Sequence, residues 1–157
     1  MMPYRQAHGL QSWISCVAVL FLLTLAASAG AQGFWPPASP EAQDFRKNMK
    51  DILFAFDQYE DPTNQAALEA DVAYLVAHPE IRIRIDGYTD DRGDIIYNLV
   101  LSKKRADMAK QDLIRMGIPE ERIVSAVGWG KLYPTCDFES DECWDSNRRA
   151  HLRYYWH

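Results

Sequence analysis

The chain predicts an α+β fold: a βαβαββ two-layer sandwich, helices packed on one face of a small mixed sheet. Two stretches carry that prediction. In "IRIRIDG", Ile81, Ile83 and Ile85 alternate with Arg82, Arg84 and Asp86, the period-two pattern of a half-buried strand. From Tyr97 on, the spacing turns helical, with Ala106, Ala109, Leu113 and Met116 on one face and Gly117 and Pro119 as C-terminal punctuation. A length of 157 residues, 48% of them hydrophobic, suits one ordinary domain with additions.

The first addition is at the start. Arg5 and His8 precede an apolar run from Trp13 to Leu25, and Ala27, Ala29 and Ala31 follow at A-x-A spacing. This pattern predicts a secretory signal peptide over 1–31, cleaved after Ala29 or Ala31. The alternative is a retained anchor, because Trp13 to Ala31 is about long enough to span a bilayer; Thr24, Ser28 and Gly30 favour cleavage. Lipidation needs a cysteine directly after the apolar run, and Cys16 lies inside it, so no lipid anchor is expected.

Residues 32–50 form a linker and lead-in with no useful periodicity, where Phe34 and Trp35 are expected to pack on the domain. The domain itself is set at 51–157. A first strand is expected around Ile52 to Phe56, followed by a helix that can start at Pro62 and must stop at Pro79. After the central strand and helix, "RIVSAVGWG" gives a third strand and "RAHLRYYWH" a fourth.

Loss of Arg5 with the signal takes the formal charge from -5 to -6, a poor balance for binding nucleic acid or anionic lipid. Once Cys16 leaves, Cys136 and Cys143 remain, an even pair in an exported chain and therefore a disulfide. A metal at Cys136, Cys143 and His151 would lack a fourth ligand. No cofactor is implied.

The long helix raises a question. At about 100° per residue, Asn98, Ser102 and Arg105 fall within roughly 60° of one another, on the stripe that should be core. Asp90, in the loop after the best strand, can fold back toward them. One explanation is a structural Asp90–Arg105 ion pair, with Asn98 capping the loop. The other is a pocket for a zwitterion, in which the guanidinium meets a carboxylate and Asp90 meets an ammonium.

These residues resemble a family. "GYTDDRGDIIYNLVLSKKRA" is similar to the signature of OmpA-like C-terminal domains, shared with peptidoglycan-associated lipoproteins and flagellar stator proteins. The matching pieces are Thr89-Asp90, Gly93, Tyr97-Asn98, Leu101-Ser102 and Arg105-Ala106. "LFAFDQY", "GWGKLYP" and "NRRAHL" extend the resemblance over about Ile52 to Trp156. It implies non-covalent binding of peptidoglycan through the diaminopimelate of the stem peptide, supporting envelope integrity in a Gram-negative bacterium. Asp90 and Arg105 would be the principal ligands, Asn98 an additional contact, and Asp57 a pocket-lining residue after a turn one residue shorter than usual. Arg148 and Arg149 would line the rim or pair with Asp86 or Asp90. The cysteine loop resembles a variant in which a disulfide clasps the last connection. The protein would sit in the periplasm, associated with the wall and close to the outer membrane.

No enzyme is expected. His8 would leave with the signal, His78 precedes a helix-ending proline, and His151 and His157 lie in the final strand region, away from Asp90 in sequence. No Ser-His-Asp, H-E-x-x-H or paired-carboxylate arrangement stands out. The rival is a scaffold module that holds other envelope proteins, for which an exposed aromatic cluster among Trp129, Tyr133, Trp144, Tyr154, Tyr155 and Trp156 would be the sign.

Overall fold

The computed structural model describes residues 39–155. The expected signal peptide over 1–31, with Cys16, and Phe34, Trp35 and Trp156 lie outside the described residues.

Pro40–Asn48 forms α1, where the sequence suggested only linker. Its start is well specified. Ser39 accepts from the Ala42 amide at 3.2 Å, Pro40 occupies the first turn, and Arg46 and Lys47 close the last. Phe45 anchors it, 1% exposed, edge-on to Tyr74 and Tyr154.

Strand β1 is short, Ile52–Leu53, rather than running on to Phe56. Beyond it the chain bends through Asp57, whose φ is 59°. Asn64 borders β1 instead of a strand: its side chain accepts from the Leu53 amide and donates to the Asp51 carbonyl, both at 2.8 Å. That commitment delays the next helix. α2 runs Gln65–Ala77 with Asn64 at its N-cap making no capping bond, so Pro62 lies outside the helix.

β2 (Arg82–Gly87) and β3 (Ile123–Gly128) are parallel and are joined by α3, Ile95–Arg115. A short 3₁₀ turn at Glu120–Arg122 leads into β3. The last connection, expected as a loop, contains a further helix, α4 (Asp141–Asn147), capped by Ser140. β4, Arg149–Tyr155, runs antiparallel to both neighbours, giving the sheet order β1-β4-β2-β3. The mixed sheet and layered helices are those of the expected α+β class. Ile52, Ile83, Ile85 and Leu152 meet Leu68, Leu75, Ala106, Ala109 and Leu113 in the core.

The helix α3 lies backbone against backbone on two strand ends. A Cβ at Gly87 would stand 1.9 Å from the Ser102 carbonyl oxygen, and one at Gly128 2.4 Å from the Lys103 amide nitrogen. Only glycine fits there. Ser102 is the residue at the crossing: its hydroxyl donates to Leu99 O at 2.9 Å and accepts from Gly130 N at 2.8 Å. Among the described residues no helix is long and apolar enough to cross a membrane.

Candidate functional site

After β2 the chain enters the loop 88–94, which is held at several points. Tyr88 N donates to Arg149 O at 2.8 Å and Thr89 N to Gly130 O at 2.9 Å. Asp94 then caps α3, accepting from Ile96 N at 2.8 Å. Asn98, one turn in, donates to Arg92 O at 2.8 Å and fastens the loop onto the helix that follows it. The fold-back expected from the sequence is therefore present, and so is the capping role of Asn98.

Asp57, Asp90, Asn98 and Arg105 line one pocket of about 200 Å3. Phe56, Thr89, Arg92, Tyr97 and Arg148 share it. Of those first four only Asp57 is exposed, and it accepts a hydrogen bond from the Tyr97 hydroxyl, which raises the tyrosine's pKa.

The Asp90–Arg105 ion pair considered above is not made. Arg105, 0% exposed, gives its guanidinium to backbone: Nε to Gln58 O at 2.8 Å, Nη1 to Tyr88 O at 2.9 Å, Nη2 to Ala55 O at 3.1 Å. Three carbonyls at chain bends are satisfied by one side chain, and two of the five N–H donors remain. Burial, helped by the nearby Arg148 charge and opposed by Asp90, pushes the Arg105 pKa down to about 10. It stays cationic at neutral pH.

Asp90 pairs with two other arginines. Its Oδ2 accepts from Arg92 Nη2 at 2.7 Å and from Arg148 Nη1 at 3.2 Å. Its Oδ1 receives one long bond, 3.3 Å, from the Arg92 amide. The Arg92 guanidinium is sandwiched between Phe56 and Trp144, 4.3 and 4.2 Å from the ring centres. Nothing in the strand or helix periodicity points to Arg92, because it sits in a loop. The hydroxyl of Thr89, on the same pocket, is buried with no hydrogen-bond partner.

One wall depends on the cysteine loop. Cys136 and Cys143 form the expected disulfide, Cα atoms 5.7 Å apart. Asn147 accepts from Thr135 N at 2.7 Å and donates to Cys136 O at 2.9 Å, closing the same loop. Arg148 follows, reaching Asp90 and the Phe54 carbonyl. Arg149 turns away to stack over Tyr88 at 4.0 Å and to face Asp51, so of the two arginines only Arg148 lines the pocket. His151 bonds Asp51 and His78 stacks on Tyr74, both outside the pocket.

The sequence matches the OmpA family over residues 53–150. The chain belongs to the OmpA family. Relatives include the peptidoglycan-associated lipoprotein of Rhizobium meliloti, 35% identical across 69% of this chain and 62% of that protein. That of Pasteurella multocida is 33% identical across 71% of this chain and 75% of its own length. This OmpA-family chain thus spans under two thirds of the first of these relatives. Among solved structures, the peptidoglycan-associated lipoprotein from Burkholderia pseudomallei superposes with a TM-score of 0.62 at 36% identity, covering 68% of this chain and 90% of that one. The C-terminal domain of Helicobacter pylori MotB, at 18% identity and TM-score 0.58, shares the fold. Membership agrees with a non-enzymatic domain. The relatives' name runs against the expectation of no lipid anchor, which rests on the position of Cys16.

Proposed function

We propose that this domain binds peptidoglycan non-covalently, gripping the zwitterionic end of a diaminopimelate side chain in the pocket of Asp57, Asp90, Asn98 and Arg105. The observation that carries the proposal is the mixed charge of one small cavity, two carboxylates and three guanidiniums around a buried hydroxyl without a partner. An amino-acid head group supplies one carboxylate and one ammonium side by side. Its carboxylate would take the two remaining N–H donors of Arg105, and its ammonium the open Oδ1 of Asp90 and the Thr89 hydroxyl. Relatives named for association with peptidoglycan support this choice of polymer. The site belongs in the periplasm, against the wall.

Co-sedimentation with purified diaminopimelate-type sacculi tests it. Wild type should pellet, and Asp90→Asn and Asp57→Asn, each verified as folded by thermal melting, should remain largely in solution. Folded variants that pellet like wild type would remove the pocket from the account.

A second role as a scaffold module is favoured by one observation. The outer face of α3 exposes Ile95, Ile96 and Val100, by 61%, 67% and 53%. A partner protein seated there would still be captured by Asp90→Asn.

A further inference from the structure

We propose that the cleft between α1 and the open edge of β4 is a second ligand site, built for a phosphate monoester. β1 pairs with β4 only at Ala150 and Arg149. From His151 to Tyr155, β4 therefore has β2 on one side and no described strand on the other. α1 lies along this edge, with Phe45 and Tyr154 meeting at 5.7 Å. A cavity of about 340 Å3 opens there and shares no residue with the pocket of Asp90. That volume is in the range of small-molecule sites.

Its lining is cationic. Arg46 comes from α1, Arg84 from β2 and Arg153 from β4. Arg84 and Arg153 stand directly opposite across the strand pair, an unfavourable placement for like charges. Asp86, fully buried between them, accepts from both. One carboxylate for two guanidiniums leaves one charge over. Arg46 adds another, since its side chain makes no ion pair with any described residue. His151, the remaining titratable side chain at the cavity besides its tyrosines, faces Asp51 at 2.6 Å. In addition, the Arg84 Nε is buried without a hydrogen-bond partner. On a chain of formal charge -5, this is a local reversal of sign.

A dianion suits the arrangement better than a carboxylate. A phosphate monoester carries close to two negative charges at neutral pH and three acceptor oxygens. Guanidiniums arriving from a helix and two strands can each engage one. Tyr155, two residues on from Arg153 and so on the same face of β4, offers the carrier of the phosphate an aromatic surface. Charged side chains on an unpaired edge also deter strand pairing, which would explain Arg153. That reason does not extend to Arg46 on the facing helix or to Arg84 on an interior strand.

The phosphate could be carried by a soluble sugar or by a lipid headgroup, and two probes separate these. Calorimetric titration of the purified chain with glucose 6-phosphate, and with glucose, reads the soluble source. Flotation with phosphatidylcholine vesicles, with and without phosphatidic acid, reads the headgroup. At least one phosphomonoester probe should bind while its phosphate-free control does not. Arg46→Ala should weaken that binding about tenfold with an unchanged melting temperature, since no described bond is lost. Asp90→Ala should leave it intact, which keeps this result separate from wall binding. The proposal is overturned if neither probe binds, or if Arg46→Ala and Arg84→Gln both bind like wild type. Loss of phosphate binding in Asp90→Ala would also overturn it, because the anion would then occupy the first pocket.

Discussion

Arg105 and Arg122 do the same structural job at opposite ends of β2, but Arg105 lines the pocket of Asp57 and Asp90 and Arg122 does not. Arg122 donates to Ile81 O, Leu75 O and His78 O at 2.9, 2.9 and 2.7 Å, tying the start of β2 to the end of α2. Arg105 donates to Tyr88, Gln58 and Ala55 carbonyls beyond the other end. In both, burial lowers the guanidinium pKa. The differences lie in the surroundings. Around Arg105 stand Asp90, Asp57 and a cavity, while Arg122 has only Glu80 among nearby acids acting on it. A buried arginine is thus no sign of a binding site by itself; carboxylates and space beside it are what distinguish one.

Alanine at either position breaks the comparison most severely. Arg105→Ala and Arg122→Ala should each cost about 3–5 kcal/mol in chemical denaturation, since three carbonyls lose their donor. The fraction of Arg122→Ala that stays folded should still pellet with sacculi, and that of Arg105→Ala should not. Arg105→Lys should not restore pelleting fully, because an ammonium lacks the two-pronged geometry.

Buried carboxylates repeat the contrast. Asp71 is 0% exposed, accepts from Lys50 N at 2.9 Å, and has an Oδ2 without a partner. Burial pushes its pKa from 3.8 up to about 7, the Lys50 bond only partly offsetting this. The folded state therefore holds a proton that the unfolded state releases, and this group's contribution to stability falls as pH rises from 3.8 to about 7. Asp71→Asn should be more stable than wild type at neutral pH by on the order of 2–3 kcal/mol, with the gain gone below the unfolded pKa. Thermal melts across that range would check the sign. Asp90 is instead paired with two arginines, so removing its charge is unfavourable: Asp90→Asn should cost about 1–2 kcal/mol and reduce sacculus binding at least tenfold. The smallest effect belongs to Tyr97→Phe, which loses an exposed bond to Asp57 and should leave the melting temperature unchanged while reducing pelleting only slightly.

Much of this was legible in the residues. β2 and α3 announced themselves through opposite periods, and the misplaced polar stripe on α3 led to the pocket that collects Asp90, Asn98 and Arg105. The actual partners of Arg105 were not legible, because backbone carbonyls carry no residue identity and leave no pattern. α1 was missed for a related reason. Only Ala42 and Phe45 of its nine residues are buried, too few to make a stripe, although Ser39-Pro40-Glu41 is a sound start signal. Asn64 misled in the other direction, its side chain bordering β1 when spacing suggested a helix was already under way.

The contact of α3 with Gly87 and Gly128 has a bearing on how such a domain can diversify. With no strand side chain between them at Gly87 and Gly128, α3 can neither slide nor rotate without a clash, and Arg105 stands three residues along from that fixed crossing at Ser102. The floor of the pocket is therefore rigid across any sequence that keeps the two glycines. Variation in what the domain recognises is confined to the rim: the loop around Arg92, the bend at Asp57 and the disulfide-clasped α4. Swapping those three segments between relatives should transfer ligand preference without disturbing the fold beneath.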